Sequence, residues 1–446
     1  MLKSINRVYL LSAIFLYLIL SIKISGEYLF INLFTIFSFL SYFIILDYNT
    51  SINKKYYTNY YLLIETFIYI SIFIIMQNLI SYFYNNNFFV FNESDAVFYH
   101  YSASKISTKS FIDGMEDYLT HMGVDDLGMM LVLYPLYQIY DSNLMLNFLY
   151  IFVGTITALS IFRISKKIML RKYAFLSALA YSISSFVLYF HSTGLKESFM
   201  VMLVILSFDF YYQFLLKRKF FSLLVSLIFI VSLFLFRPIL AAMIIGAIGM
   251  GTLFSKKGGV GIKIISFIIF IVLIVMGDSI TEQVNSYTTG GIDTLIKARE
   301  SQGGIIGGIF FTYVVNVLSQ TIGPLPTIIS SSKVGTMFYA SGLIYRVLLA
   351  FPFWLGIVHI YKTKSYILYP LAIFTIIEMS ALAYLIDGLE LRKALPHIPI
   401  VFIIAFWFMD KYDRKLINFK RKKRFKQFYK LLMFLLTFII FYWNFR

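Results

Sequence analysis

Long apolar runs separated by short polar breaks make up nearly the whole chain. They fall at about 8–24, 28–46, 60–83, 143–165, 173–191, 198–215, 220–236, 239–254, 262–277, 337–360, 366–386, 394–410 and 427–443. Runs of roughly 17–25 apolar residues are long enough to cross a bilayer as helices. In lipid each backbone N–H and C=O must be satisfied within its own segment, so such a run is helical. The pattern predicts an all-α polytopic membrane protein of about 13 transmembrane helices, with 11 to 14 as the range. Two further apolar segments do not fit as ordinary spans. Leu127–Ile139 is short and contains Pro135, and 304–322 runs into Gly323-Pro324-Leu325-Pro326. Both are expected to be re-entrant or to lie in the interface.

Charge gives these spans a direction. With the N-terminus inside, Lys54 and Lys55, Lys166 to Lys172, Lys217 to Lys219, Lys256 to Lys263, Lys362 and Lys364, and the run from Lys411 to Lys430 all fall on the cytoplasmic side. The chain of 446 residues is 59% hydrophobic and 14% charged, with a formal net charge of +17. A soluble chain carries about a quarter charged residues. The excess of basic residues lies in loops between spans, so it reads as membrane orientation and not as a nucleic-acid surface. There is no cysteine, which excludes disulfides and thiolate metal sites. Val8–Ile24 lacks a small-residue cleavage site after it and reads as a retained span.

The expected organisation is one integral membrane domain, 1–446. It carries an extracytoplasmic acidic loop with an interfacial helix at 84–142, a second outer loop with a re-entrant or interfacial segment at 278–336, and a basic cytoplasmic loop at 411–430. The acidic loop breaks the apolar pattern most sharply. Between Asn85 and Asp126 it holds seven carboxylates (Glu93, Asp95, Asp113, Glu116, Asp117, Asp125, Asp126) and two of the five histidines. If the segment after Ser94 is helical, Asp95, Tyr99 and Ala103 share one face. A carboxylate at a membrane surface among aromatic side chains can serve as a general base. Asp95 is therefore the candidate catalytic residue, with Glu93, Tyr99 and His100 as candidate substrate contacts; a plain helix cap at Ser94 or Asp95 is the competing explanation. The carboxylates from Asp113 to Asp126 are expected to be solvated.

Basic residues on the same side supply the other half of a site. Lys196 could hold a phosphate as a point charge, oriented by Glu197, although a local Lys–Glu pair in a tight turn explains them equally. Arg237 ends an apolar run before Pro238 and runs against the positive-inside trend, so it needs an anionic partner. Arg392 and Lys393 form a second basic pair, and Arg346 falls within a predicted span. Each arginine could equally be neutralised by Glu378, Asp387 or Glu390. The Gly-rich segment Ser255–Lys263 lacks the spacing of a nucleotide-binding P-loop, and the histidines show no zinc-binding spacing.

Four stretches carry a family resemblance: Asp95-Ala-Val-Phe-Tyr99-His-Tyr-Ser-Ala103; Leu133-Tyr-Pro135-Leu-Tyr-Gln-Ile-Tyr140 leading into Asn147-Phe-Leu-Tyr150; Gly194-Leu-Lys-Glu197; and Arg392-Lys-Ala-Leu-Pro396-His-Ile-Pro399. Together they resemble the polytopic GT-C glycosyltransferases, in particular the bacterial relatives of the protein mannosyltransferases. The O-antigen and capsule repeat-unit polymerases are similar in their aromatic-rich spans and boundary arginines. The first resemblance implies Asp95 as the catalytic base. It also implies a polyprenyl-phosphate or polyprenyl-diphosphate sugar as donor and a glycan acceptor, used at the outer face of a bacterial cytoplasmic membrane in cell-surface polysaccharide assembly. No cofactor is expected, with a divalent metal as the open alternative. A repeat-unit polymerase is the second expectation. A flippase for lipid-linked oligosaccharides is the third; its mid-membrane charges would be Asp209, Arg346 and Glu378.

Overall fold

A computed structural model describes chiefly residues 29–86, 94–122, 126–254, 334–385 and 391–414, apart from single positions within them, with short stretches elsewhere. Among the described residues the chain is helical throughout. The helices are α1 (Leu29–Ser51), α2 (Asn59–Asn85), α3 (Ser94–Ser107), α4 (Phe111–Met122), α5 (Leu127–Ile139), α6 (Asn143–Ser165), α7 (Arg171–Ser182), α8 (Ser185–Ser192), α9 (Glu197–Lys217), α10 (Phe220–Phe234), α11 (Pro238–Leu253), α12 (Val334–Thr363), α13 (Leu368–Leu385) and α14 (Ile398–Asp413). A 3-10 helix, Leu391–His397, leads into α14.

The predicted apolar runs from 28–46 to 394–410 coincide with helices wherever they are described. Among the described residues, six helices are long and apolar enough to cross a membrane, or seven if α7 and α8, bent by 48° at their junction, form one span. Helices α10, α11 and α13 are apolar but shorter. At 15 residues, α10 rises only about 22 Å, less than the roughly 30 Å of a bilayer core. The predicted spans 8–24, 262–277 and 427–443, the segment 304–322 and the loops 278–336 and 411–430 lie largely outside the described residues.

Local chemistry sets the helix ends. Thr58 caps α2 by accepting from the Tyr61 N–H at 3.1 Å. Asn86 ends it in the left-handed region, with its N–H on the Tyr82 carbonyl. Pro238 opens α11 at the position where proline costs least, because the first-turn N–H has no helical partner.

Helix packing follows the rules of apolar surroundings, where small residues let backbones approach. A Cβ on Gly251 of α11 would stand 2.6 Å from the Cα of Pro370 at the start of α13, so only glycine permits that crossing. The segment Arg392–Asp413 is 94% buried in its apolar window and forms the centre of the bundle, whereas α2 is 39% buried. Leu33, Leu40 and Ile44 of α1 and Ile68, Ile72 and Ile75 of α2 are exposed, as lipid-facing residues would be. The short helices α3, α4 and α5 gather at one end, here the acidic end. Arg163 to Tyr173, Asp209 and Asp410 to Arg414 gather at the opposite, basic end.

Candidate functional site

The acidic end is assembled around α3. The helix forms as the sequence predicts, and its inner face, Ala96, Tyr99 and Ala103, is buried. Asp95 sits in the first turn, where the helix dipole favours a negative charge. Its Oδ2 accepts from Nη1 of Arg392 at 2.6 Å, and both side chains keep access to solvent. That bond joins the acidic loop to the 3-10 helix before α14, 297 positions further along the chain. Lys393 follows Arg392 on the 3-10 helix and is half-buried.

One turn along α3, the hydroxyl of buried Tyr99 donates to Oδ2 of Asp126 at 2.8 Å. Burial, and next the charge of Asp126, push the Tyr99 hydroxyl far above its ordinary range, so it stays protonated and acts as a donor. Glu197 and Asp95 also lie close enough to act on Tyr99 electrostatically, which makes it the hub of the cluster. Asp126 takes left-handed φ of 64° just before α5, a conformation that aspartate tolerates better than most residues. Its Oδ1 accepts from Nζ of Lys196.

Lys196 and Glu197 do not pair with each other in this arrangement. Lys196 turns to Asp126, while buried Glu197 faces Arg237, with 3.8 Å between Oε1 and Nη2. The turn before them reaches the site because Gly194 adopts φ of 82°, where a side chain would be strained, and a Cβ there would also crowd Leu146 and Ala96. Tyr150 of α6 anchors the same turn by donating to the Leu195 carbonyl at 2.8 Å. On the other side, the Gly128 N–H at the start of α5 donates to the Leu235 carbonyl at 2.8 Å, docking Asp126 beside the turn that carries Arg237. Phe199 and Phe236 stack under this junction.

The structure thus brings together Asp95, Tyr99, Lys196, Glu197, Arg237 and Arg392. It places the other candidates differently. His100 turns to α5, with its Nδ1 2.7 Å from the Tyr137 hydroxyl, and burial lowers its pKa while nearby Asp141 opposes that shift. Arg346 lies in the interior on α12, fully buried, with its guanidinium 4.9 Å over the ring of Phe186. Glu93 lies outside the described residues, as do Asp387 and Glu390.

Asp126 corrects the expectation that the whole carboxylate run from Asp113 is solvated. Asp113 and Glu116 are exposed and Asp117 pairs with Lys109 at 2.9 Å, but Asp126 enters the site. Its position immediately before an apolar helix was the available signal. A second group missed as a site component is the buried pair His397–Glu378, with Nδ1 3.4 Å from Oε2.

The cluster alternates acid and base: Asp95–Arg392, Asp126–Lys196 and Glu197–Arg237. Such an arrangement can exchange an internal carboxylate for an external anion without burying a bare charge. No group of three or more His, Asp or Glu side chains placed to hold a metal occurs among the described residues. Comparison with protein-family models, with curated proteins and with solved structures returns no match to this chain, so the chemistry of the site is argued from its own residues.

Proposed function

We propose that the chain is a membrane glycosyltransferase. It takes a sugar from a polyprenyl-phosphate or polyprenyl-diphosphate carrier at the outer face of a bacterial cytoplasmic membrane and passes it to a glycan acceptor in cell-surface polysaccharide assembly. The proposed topology has about 13 spans, a cytoplasmic N-terminus and the acidic end outward. The observation that carries the reading is the Arg392–Asp95 bond, which unites the candidate base with a candidate phosphate-binding residue.

In this mechanism Asp95 takes the proton of an acceptor hydroxyl. The acceptor oxygen attacks the anomeric carbon as the bond from that carbon to the carrier phosphate breaks. The departing phosphate gains negative charge, and Arg392, Arg237 and Lys196 stabilise it. One base suffices, unlike the carboxylate pair of a glycoside hydrolase. The resting structure supports an order of events. Arg392 occupies Oδ2 of Asp95, so a carrier phosphate that captures Arg392 also uncovers the base. Because α10 is shorter than the apolar layer, the turn at Arg237 would sit a little inside its outer edge, where an arginine needs an anionic partner such as a carrier phosphate.

The test is chain length and composition of the surface polysaccharide in cells carrying Asp95→Asn or Arg237→Ala. Loss of the glycan with Asp95→Asn supports the transferase; normal glycan would sink it. The set of three cations keeps the repeat-unit polymerase as the second reading. Its signature is loss of polymer length with single repeat units retained, strongest for Arg237→Ala.

A further inference from the structure

Side-chain exposure falls steadily from the mouth of the site inward. It is 43% for Asp95 and 31% for Arg392, 21% for Asp126 and Arg237, 4% for Glu197, and 4% and 0% for Glu378 and His397. The deepest pair is the one that no step of the proposed reaction uses. Glu378 projects from α13 and His397 closes the 3-10 helix, with Nδ1 of the imidazole 3.4 Å from Oε2 of the carboxylate. Burying ionisable groups is costly unless they gain compensating hydrogen bonds. Among the described residues, neither ring nitrogen of His397 nor Oε2 of Glu378 makes a hydrogen bond, so the 3.4 Å contact is a close approach of the two groups and not a hydrogen bond. The pair is therefore a poor device for stability alone.

Its placement offers a different role. His397 belongs to the same seven-residue 3-10 helix as Arg392, which packs between α9, α13 and α14. Glu378 lies close enough to Arg237 for the guanidinium charge to act on its carboxyl. Arg237 precedes α11, which packs along α13. One buried contact thus bears on both arginines: through the shared 3-10 helix on Arg392, and through charge on Arg237. Two cations that hold one phosphate must keep their spacing, because small misplacements of binding groups are costly.

We propose that Glu378 and His397 are positioning residues, a buried pair that sets the separation of Arg237 and Arg392 so that both engage one phosphate. The inference rests on the reading of those arginines as the phosphate-binding pair. Neither Glu378 nor His397 touches the reacting atoms.

The experiment measures binding of farnesyl phosphate, with farnesol as the control lacking phosphate, to the full chain in detergent by native mass spectrometry. Melting temperature is followed in parallel. The variants are Glu378→Gln, His397→Gln and the double variant, each close in shape to the original. The expected result is that the wild-type chain prefers farnesyl phosphate. Each single variant then binds it about tenfold more weakly, with farnesol binding and melting temperature unchanged, and the double variant is no worse than either single one. Wild-type affinity in the single variants overturns the pair's role and leaves the phosphate reading standing. Variants that melt early or aggregate show a purely structural pair and overturn it as well. No preference for the phosphate in the wild-type chain overturns the underlying reading and the inference with it.

Discussion

The two ends of the bundle handle charge in opposite ways. At the basic end Asp209 is fully buried and gripped by two cations, Arg163 at 2.8 Å and Lys167 at 3.0 Å. Buried Asp410 accepts from Arg414 at 2.5 Å and from the Leu170 N–H at 3.3 Å, and the Tyr173 hydroxyl bonds to Asp413. Lys172 reaches back to the Thr50 carbonyl. These contacts tie loops to helix ends, with Asp209 and Asp410 closed to solvent and Asp413 at the surface. At the acidic end the outermost pairs, Asp95–Arg392 and Asp126–Lys196, keep solvent access on both partners. A carboxylate closed to solvent serves the fold even where its cations are partly exposed, because no ligand can replace it. A pair within reach of solvent can be exchanged for a ligand at small cost.

That contrast makes four predictions, from the largest expected effect on stability to the smallest. Asp209→Ala removes the buried carboxylate that neutralises two partly exposed cations and is expected to cost about 3 kcal/mol. It should appear as a large fall in melting temperature in detergent; an unchanged melt would erase the distinction between the ends. Tyr99→Phe removes a buried hydroxyl that donates to the Asp126 carboxylate and is expected to cost about 2 kcal/mol. It should also loosen the Asp126–Lys196 contact, read as faster proteolysis between α4 and α5. Arg392→Ala breaks a partly exposed pair, so its cost should stay within about 1 kcal/mol. Activity and farnesyl phosphate binding should nevertheless be lost. Stability loss as large as that of Asp209→Ala would make Arg392 a structural residue.

The smallest effect concerns pH. Burial lowers the pKa of His100 from its ordinary 6.5 in the folded chain. The unfolded chain therefore binds the proton more readily, so His100 contributes stability above about pH 6.5 that is lost as pH falls through 6.5 toward the lower folded value. Melting curves between pH 8 and 5 (about the range in which histidine titrates) should fall less steeply for His100→Gln than for the wild-type chain. Equal slopes would show that the imidazole is not held in the desolvated contact with Tyr137.

The helices were legible because lipid leaves a long apolar run almost no alternative to helix. Among the described residues, six long apolar helices lie where the run length placed them. The bend between α7 and α8 was hidden inside one continuous apolar run, since Ser182, Ile183 and Ser184 do not interrupt its hydropathy. Within the site, Asp95 and Arg392 stood out by residue type, because charge is rare in such a chain, and Tyr99 stood out by its helical spacing from Asp95. Asp126 did not, since its neighbours Asp113, Glu116 and Asp117 have the same composition and only the docking of α5 on the Leu235–Phe236 turn separates it from them. Lys196 and Glu197 read as a pair because they are adjacent, yet a helix start directs consecutive side chains to different faces, and they find Asp126 and Arg237 instead.

The sequence by itself determined the material of this protein: helices for an apolar layer, basic clusters at one set of breaks, and one acidic stretch among aromatics. Those properties follow from local run length and charge, which need no knowledge of distant residues. Only the tertiary structure decided which charges meet. Asp95 with Arg392, Asp126 with Lys196 and Glu378 with His397 are partnerships between separate helices. They are set by close helix crossings and by one left-handed turn at Gly194, and no local pattern in the chain encodes such distances.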